Sequence, residues 1–199
     1  MSPFLKVNDL SLERGDRELF NGLSFEVGAG QLIQLEGANG AGKTSLLRIL
    51  AGLSRYGFDG TVEKSVGLMY LGHQAAVKGL LSPRENLAWH VDGEGERTNK
   101  QIEHALAQVG LYGYEDLPAH SLSAGQHRRV NLARLYLSGS PLWLLDEPFA
   151  AIDADGITAL ENLVVDHVNG GGAVILTSHQ ALSVEIPVHR LSLTGGLAA

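Results

Sequence analysis

Eight consecutive residues, Gly37-Ala38-Asn39-Gly40-Ala41-Gly42-Lys43-Thr44, carry the plainest chemistry in the chain. The glycines let successive backbone N–H groups turn inward and wrap a polyphosphate. The helix expected after them offers its positive N-terminal end to the same anion. Lys43 adds a mobile charge that reaches the β- and γ-phosphates, and Thr44 offers a hydroxyl to Mg²⁺. Ser45 follows directly and is grouped with the loop. The competing explanation is a glycine turn with an incidental Lys-Thr. A strand before the loop and a helix after it argue against that.

A second chemical group closes an apolar run: Trp143-Leu144-Leu145-Asp146-Glu147. A buried parallel strand delivers its C-terminal end to the ligand side of its sheet. Asp146 then holds Mg²⁺, through water. Glu147, one residue on, polarises an attacking water as general base. Taken alone, the pair reads equally well as a solvated acidic turn. Beside a phosphate loop the catalytic reading gains.

The third motif is Leu122-Ser123-Ala124-Gly125-Gln126, followed by Arg128-Arg129-Val130-Asn131-Leu132-Ala133-Arg134. Physically it is a second helix N-terminus rich in small residues, and so a second anion site. These residues resemble the ABC ATPase superfamily, whose signature usually carries glycine where Ala124 stands. The resemblance implies ATP as nucleotide, Mg²⁺ as cofactor, and a head-to-tail dimer. In that dimer Ser123, Gly125 and Gln126 close on the nucleotide held by another copy. It further implies that Gln74 links Mg²⁺ and the water to a membrane partner, that Asp153 crosses the dimer interface, and that His179 senses the γ-phosphate. The other histidines, His73, His90, His104, His120, His127, His167 and His189, read as ordinary structural residues. The family's adenine-stacking aromatic is missing. Arg14 stands in its place, and an arginine plane also stacks, which leaves the choice of ATP over GTP open.

These groups need elements to position them. Leu19–Val27 alternates as a half-buried strand, Gly28-Ala29-Gly30 turns, and residues 31–35 form a short buried strand ahead of the phosphate loop. Leu46, Leu47, Ile49 and Leu50 have helical spacing. Residues 75–135 read as mostly helical. Ser82-Pro83-Arg84-Glu85 is a capped helix start, 97–109 a helix ended by Gly110, and Ser123 to Leu137 a further helix, with 93–96 an exposed loop. Val66–Leu71, Leu142–Leu145 and Ala173–Thr177 read as strands, 155–168 as a helix. Strand-helix alternation implies an α/β fold, a mainly parallel sheet with helices on its faces. The family resemblance adds an N-terminal antiparallel β subdomain and an inserted helical subdomain. One ATP-binding domain over residues 1–199 is expected, with the insert at about 75–135.

Composition bounds the partners. The 199 residues are 44% hydrophobic and carry a net charge of -7. A duplex-DNA binder normally shows a basic excess, so no nucleic acid partner is expected. There is no cysteine, which excludes disulfides and zinc-thiolate sites. No basic region followed by an apolar run opens the chain, and no stretch approaches the ~20 apolar residues that span a bilayer. A membrane role therefore requires a separate multi-span subunit.

Several strings are similar to one branch of the superfamily, the ATP-binding subunit of the cytochrome c maturation complex. They are Leu71-Gly72-His73-Gln74, Pro141-Leu142-Trp143, Asp146-Glu147-Pro148-Phe149 and Ile175-Leu176-Thr177-Ser178-His179-Gln180. This resemblance implies a peripheral subunit on the cytoplasmic face of the bacterial inner membrane, coupled to haem export or to release of a haem-loaded chaperone. An ABC transporter for another solute shares every motor residue and remains open. A soluble ABC ATPase of translation or DNA repair fits less well, since the chain has one motor set and a short insert. The docking surface is expected near Gln74 and the following lobe, including Val77, Leu80 and Leu81, with ordinary core packing as the slightly favoured reading of those apolar residues.

Overall fold

The computed structural model describes residues 2–15, 17–89, 97–193 and 196–198. The expected loop at 93–96 and His90 lie outside the described residues.

Two sheets divide the strands. β1 (Leu5–Arg14), β2 (Arg17–Val27) and β4 (Asp59–Lys64) form an antiparallel sheet in the order β2-β1-β4. Its inward positions alternate: Leu5, Val7, Leu10 and Leu12 on β1 face the core with Phe20, Leu23, Phe25 and Val27 on β2. The second sheet runs β5 (Leu68–Leu71), β6 (Leu142–Leu145), β7 (Ala173–Thr177), β3 (Leu32–Glu36), β8 (Val188–Ser192) and β9 (Gly196–Ala198). Its first five strands are parallel and β9 is antiparallel. β6 and β7 are buried along their whole length, which is why they read as unbroken apolar runs rather than alternating ones.

Helices cover both faces. α1 (Lys43–Leu50) buries Leu46, Leu47, Ile49 and Leu50 between the two sheets. α5 (Ala154–Asn169) packs Leu160, Val164 and Val168 on the other face, against Trp143 and Val174. Between β5 and β6 the chain forms a helical lobe of α2 (Pro83–Ala88), α3 (Asn99–Gln108) and α4 (Ala124–Ala133). Leu87, Ile102, Leu106, Leu111, Leu122 and Val130 give this lobe its own core.

Caps set the helix starts. Ser82 with Glu85, Thr98 with Gln101 and Ser123 with Gln126 each form a reciprocal capping box. The Thr98 cap explains why α3 begins at Asn99 and not at Arg97. Asp153 caps α5 through Gly156 N–H, so that helix starts at Ala154. The helix expected to reach Leu137 stops at Ala133 and tightens into a 3₁₀ turn over Leu135–Leu137, and the strand expected from Val66 begins at Leu68. Among the described residues, no helix is long and apolar enough to cross a membrane.

Leu80 departs from the core-packing expectation. It is 90% exposed, because it sits on the turn that enters α2, whereas Val77 packs partly buried on the lobe core.

Candidate active site

The C-terminal ends of adjacent strands converge. β3 pairs with β7 and β7 with β6, Leu35 standing opposite Thr177 and Leu145 opposite Leu176. Asp146 is thereby carried next to Thr177 and within reach of Thr44 at the end of the phosphate loop.

The phosphate loop leaves β3 and enters α1 at Gly42. Gly42 has φ +101°, and a Cβ there would meet Leu19 Cβ and Phe20 Cδ1 at 3.2 Å. Only glycine holds this position without strain. α1 has no acidic residue in its first turn, so its positive end is uncompensated. The Lys43 ammonium lies over the loop and donates to Gly37 O at 2.6 Å and Ala38 O at 3.3 Å.

Asp146 is 1% exposed, and both carboxylate oxygens accept hydrogen bonds. Thr44 Oγ1 donates to Oδ2 at 2.9 Å and Thr177 Oγ1 to Oδ1 at 2.9 Å. The same Thr177 hydroxyl accepts from Glu147 N–H at 2.7 Å. Glu147 has φ +49°, a conformation that a non-glycine residue keeps only when its surroundings impose it. Its Oε1 lies 3.5 Å from His179 Nε2. An open cavity of 260 Å³ is lined by Leu19, residues 38–45, Asp146, Glu147 and His179. A larger cavity of 380 Å³ lies between α3, α4 and α5 beside Arg129 and Asp153. It has no cradle of loop amides, so its size does not mark the phosphate chemistry.

Not all the sequence candidates meet here. Gln74 follows β5 at an exposed position and does not line the 260 Å³ cavity. Ser123, Gly125 and Gln126 stand at the start of α4, with Ser123 N–H donating to Gln126 Oε1 at 2.8 Å, and they also do not line it. Asp153 pairs with Arg129 at 2.6 Å. The Gly156 amide, with Arg129 beside it, holds the Asp153 carboxyl below the usual carboxylate range. Arg14 is exposed, across from Arg17 at the end of the β1–β2 pair, and does not line the cavity. Arg17 is the one that approaches the loop, its Nη1 3.7 Å from where a Cβ on Gly40 would stand. Sequence reading gave no role to Thr177, Arg17 or Arg128. A hydroxyl ending an apolar strand is no signal for Thr177 until the strand order sets it beside the acidic pair. Arg17 and Arg128 carry none apart from their place in the fold.

The family model for the ABC transporter matches residues 20–150. The chain belongs to the ABC transporter family. It is 48% identical over 98% of its length to a "Cytochrome c biogenesis ATP-binding export protein CcmA 2" of Salmonella paratyphi A, of which 98% is covered. It is 47% identical to a "Cytochrome c biogenesis ATP-binding export protein CcmA" of Hahella chejuensis, over 96% of each chain. Among solved structures, an ATP-binding cassette in a dimeric post-hydrolysis state bound to ADP and Pi superposes with a TM-score of 0.81. That likeness has 18% identity and covers 98% of this chain and 97% of the other; it shows the ABC fold. As an ABC ATPase, the protein binds ATP and hydrolyses it.

Proposed function

We propose that this ABC ATPase is the motor subunit of a membrane complex for cytochrome c biogenesis, driving haem export or release of a haem-loaded chaperone. What carries this reading is the near-full-length identity of 48% to a relative named for cytochrome c biogenesis. Residues 1–199 act as a single ATP-binding domain with a helical insert at about 75–135. The subunit sits peripherally on the cytoplasmic face of the bacterial inner membrane, with a separate multi-span subunit and a second copy of itself as partners. The exposed Leu80 and Trp89, 90% and 69% accessible, stand before and after α2 in the lobe that follows Gln74 and suit the membrane subunit's docking surface.

In the site, backbone amides of residues 37–44, Lys43 and Ser45 neutralise the phosphates. Thr44 and Asp146 would hold Mg²⁺, and Gln74, which stands outside the cavity in the single copy, would join them once its segment closes on the nucleotide. Thr44 Oγ1 and Asp146 Oδ2, 2.9 Å apart, are hard oxygen donors of the kind that ion takes. When bound, Mg²⁺ offsets the charge on the β- and γ-oxygens. Glu147 accepts the proton of the attacking water, while His179 steadies the γ-phosphate. Ser123, Gly125, Gln126 and Asp153 of the opposite copy complete each site in a head-to-tail dimer. Catalysis is positioning and electrostatics, with no covalent enzyme intermediate.

The test uses tagged Glu147→Gln protein in its own host with Mg·ATP, followed by mild detergent. The variant should bind ATP, turn over little and retain its membrane partner. A multi-span subunit with haem-handling proteins and a haem absorbance band supports the pathway. A permease for another solute removes the pathway and keeps the motor, and normal turnover removes Glu147 as base.

A further inference from the structure

Arg128 lies five residues past the Ser123 cap on α4 and is 5% exposed. Its guanidinium makes four hydrogen bonds, all to backbone carbonyls of two other segments. Nη1 donates to Gly72 O at 3.0 Å and His73 O at 3.2 Å. Nη2 donates to Asp146 O at 3.3 Å and to Glu147 O. The first pair belongs to the stretch that leads into Gln74. The second belongs to the acidic pair at the end of β6.

We propose that Arg128 is a positioning residue for hydrolysis. Its planar fork ties α4 to the Glu147 peptide and to the entry of the Gln74 segment, so that all three move as one body. The proposal rests on Glu147 being the residue that activates water.

Three observations support it. Glu147 holds φ +49°, and its peptide needs anchors at both ends. Its N–H is held by Thr177 Oγ1 at 2.7 Å, and its carbonyl by Arg128 together with Ala150 N–H at 3.2 Å. Arg128 is almost fully buried, with its guanidinium seated against the backbone of Asp146 and Glu147. A cation kept here against desolvation is costly as mere filler. Finally, a flat guanidinium presents donors in a fixed fork to two segments at once, which neither a lysine ammonium nor a single amide reproduces. The consequence is a mechanical link: the helix that opens with Ser123 also holds the catalytic backbone of the same copy. A shift of α4 when Ser123 meets the other copy's nucleotide reaches Glu147 through one side chain.

The experiment measures kcat and KM for ATP in the complex purified with its membrane subunits. Arg128→Met keeps the bulk and removes the donors, Arg128→Gln keeps two donors, and Arg128→Lys keeps the charge without the fork. Expected is a kcat fall of about tenfold or more in the Met and Gln variants, KM within about twofold, and partial recovery with Lys. Arg128→Met placed on Glu147→Gln should lower kcat little further, because both changes act on one group. Unchanged kcat in folded Arg128→Met overturns the proposal. So does a full additional loss on the Glu147→Gln background, or a parallel loss of ATP affinity and thermal stability in all three variants, which marks a core role instead. Normal turnover of Glu147→Gln alone would remove the reading of Glu147 and this proposal with it. Failure of Arg128 alone shows as an inactive Glu147→Gln beside a normal Arg128→Met.

Discussion

Thr177 does two things with one hydroxyl: it donates to Asp146 Oδ1 and accepts from Glu147 N–H. It is 0% exposed, so neither bond is replaced by bulk water when it is removed. Thr177→Val has almost the same shape and leaves an acceptor and a donor unpaired. The expected cost is about 1–3 kcal/mol of stability, with a larger proportional fall in turnover because the Glu147 peptide loses an anchor. Urea unfolding and steady-state ATPase rates measured on the same preparation check this; wild-type turnover would show that the φ +49° geometry survives without the threonine. At this scale the placement of the phosphate loop ahead of α1 and of Asp146 and Glu147 after β6 was legible in the sequence, because the residue types stand at close spacing. Thr177 and Arg128 were not. Their roles depend on which strand or helix lies next to the acidic pair.

At the scale of elements, α5 and β6 meet through His167 and Trp143, whose rings stack with centroids 3.7 Å apart and 8° between planes. Gly172 lets the chain pass this stack, since a Cβ there would stand 2.2 Å from His167 Nε2. Burial pushes the His167 pKa below its ordinary 6.5. His167 Nε2 also sits 3.2 Å from Pro141 O, to which it donates. The sign follows from linkage: as pH falls below about 6.5, the unfolded chain takes up this proton before the folded one, so stability drops. Above that pH both states are neutral and the term is flat. Urea midpoints recorded from about pH 7 to about pH 5 should therefore fall less steeply for His167→Phe, which stacks but does not titrate. Identical slopes would exclude His167 as a source of acid sensitivity. The elements themselves were largely readable from apolar periodicity and capping residues. The edges were not, because Thr98 and Asp153 are caps outside their helices and because α4 gives way to a 3₁₀ turn after Ala133.

At the scale of the whole molecule, the start of α4 does not line the cavity of its own phosphate loop. Among the described residues of one copy, Ser123 serves its capping box alone. The proposed head-to-tail dimer gives it a ligand, the nucleotide of the other copy. Ser123→Arg on the Glu147→Gln background should leave ATP binding to the monomer in place and abolish the ATP-dependent dimer, read by light scattering. Part of any stability loss, about 1 kcal/mol, will come from the missing cap. A dimer that forms normally with ATP would remove the sandwich. The exposed Leu80 belongs to this scale too. Its apolar character suggested core, and only the placement of the turn before α2 turned it outward.

Local residue order places the phosphate loop between a strand and a helix, the acidic pair at a strand end, and the apolar strands and capped helices around them, because each is a pattern set by spacing within a few residues. Which patterns become neighbours depends on the fold. The strand order β6-β7-β3 brings Thr177 to one oxygen of Asp146 and Thr44 of the phosphate loop to the other, and the seating of α4 buries Arg128 against the backbone of Glu147. Both are contacts between segments far apart in the chain, set by sheet topology and burial, and neither leaves a mark in local residue order.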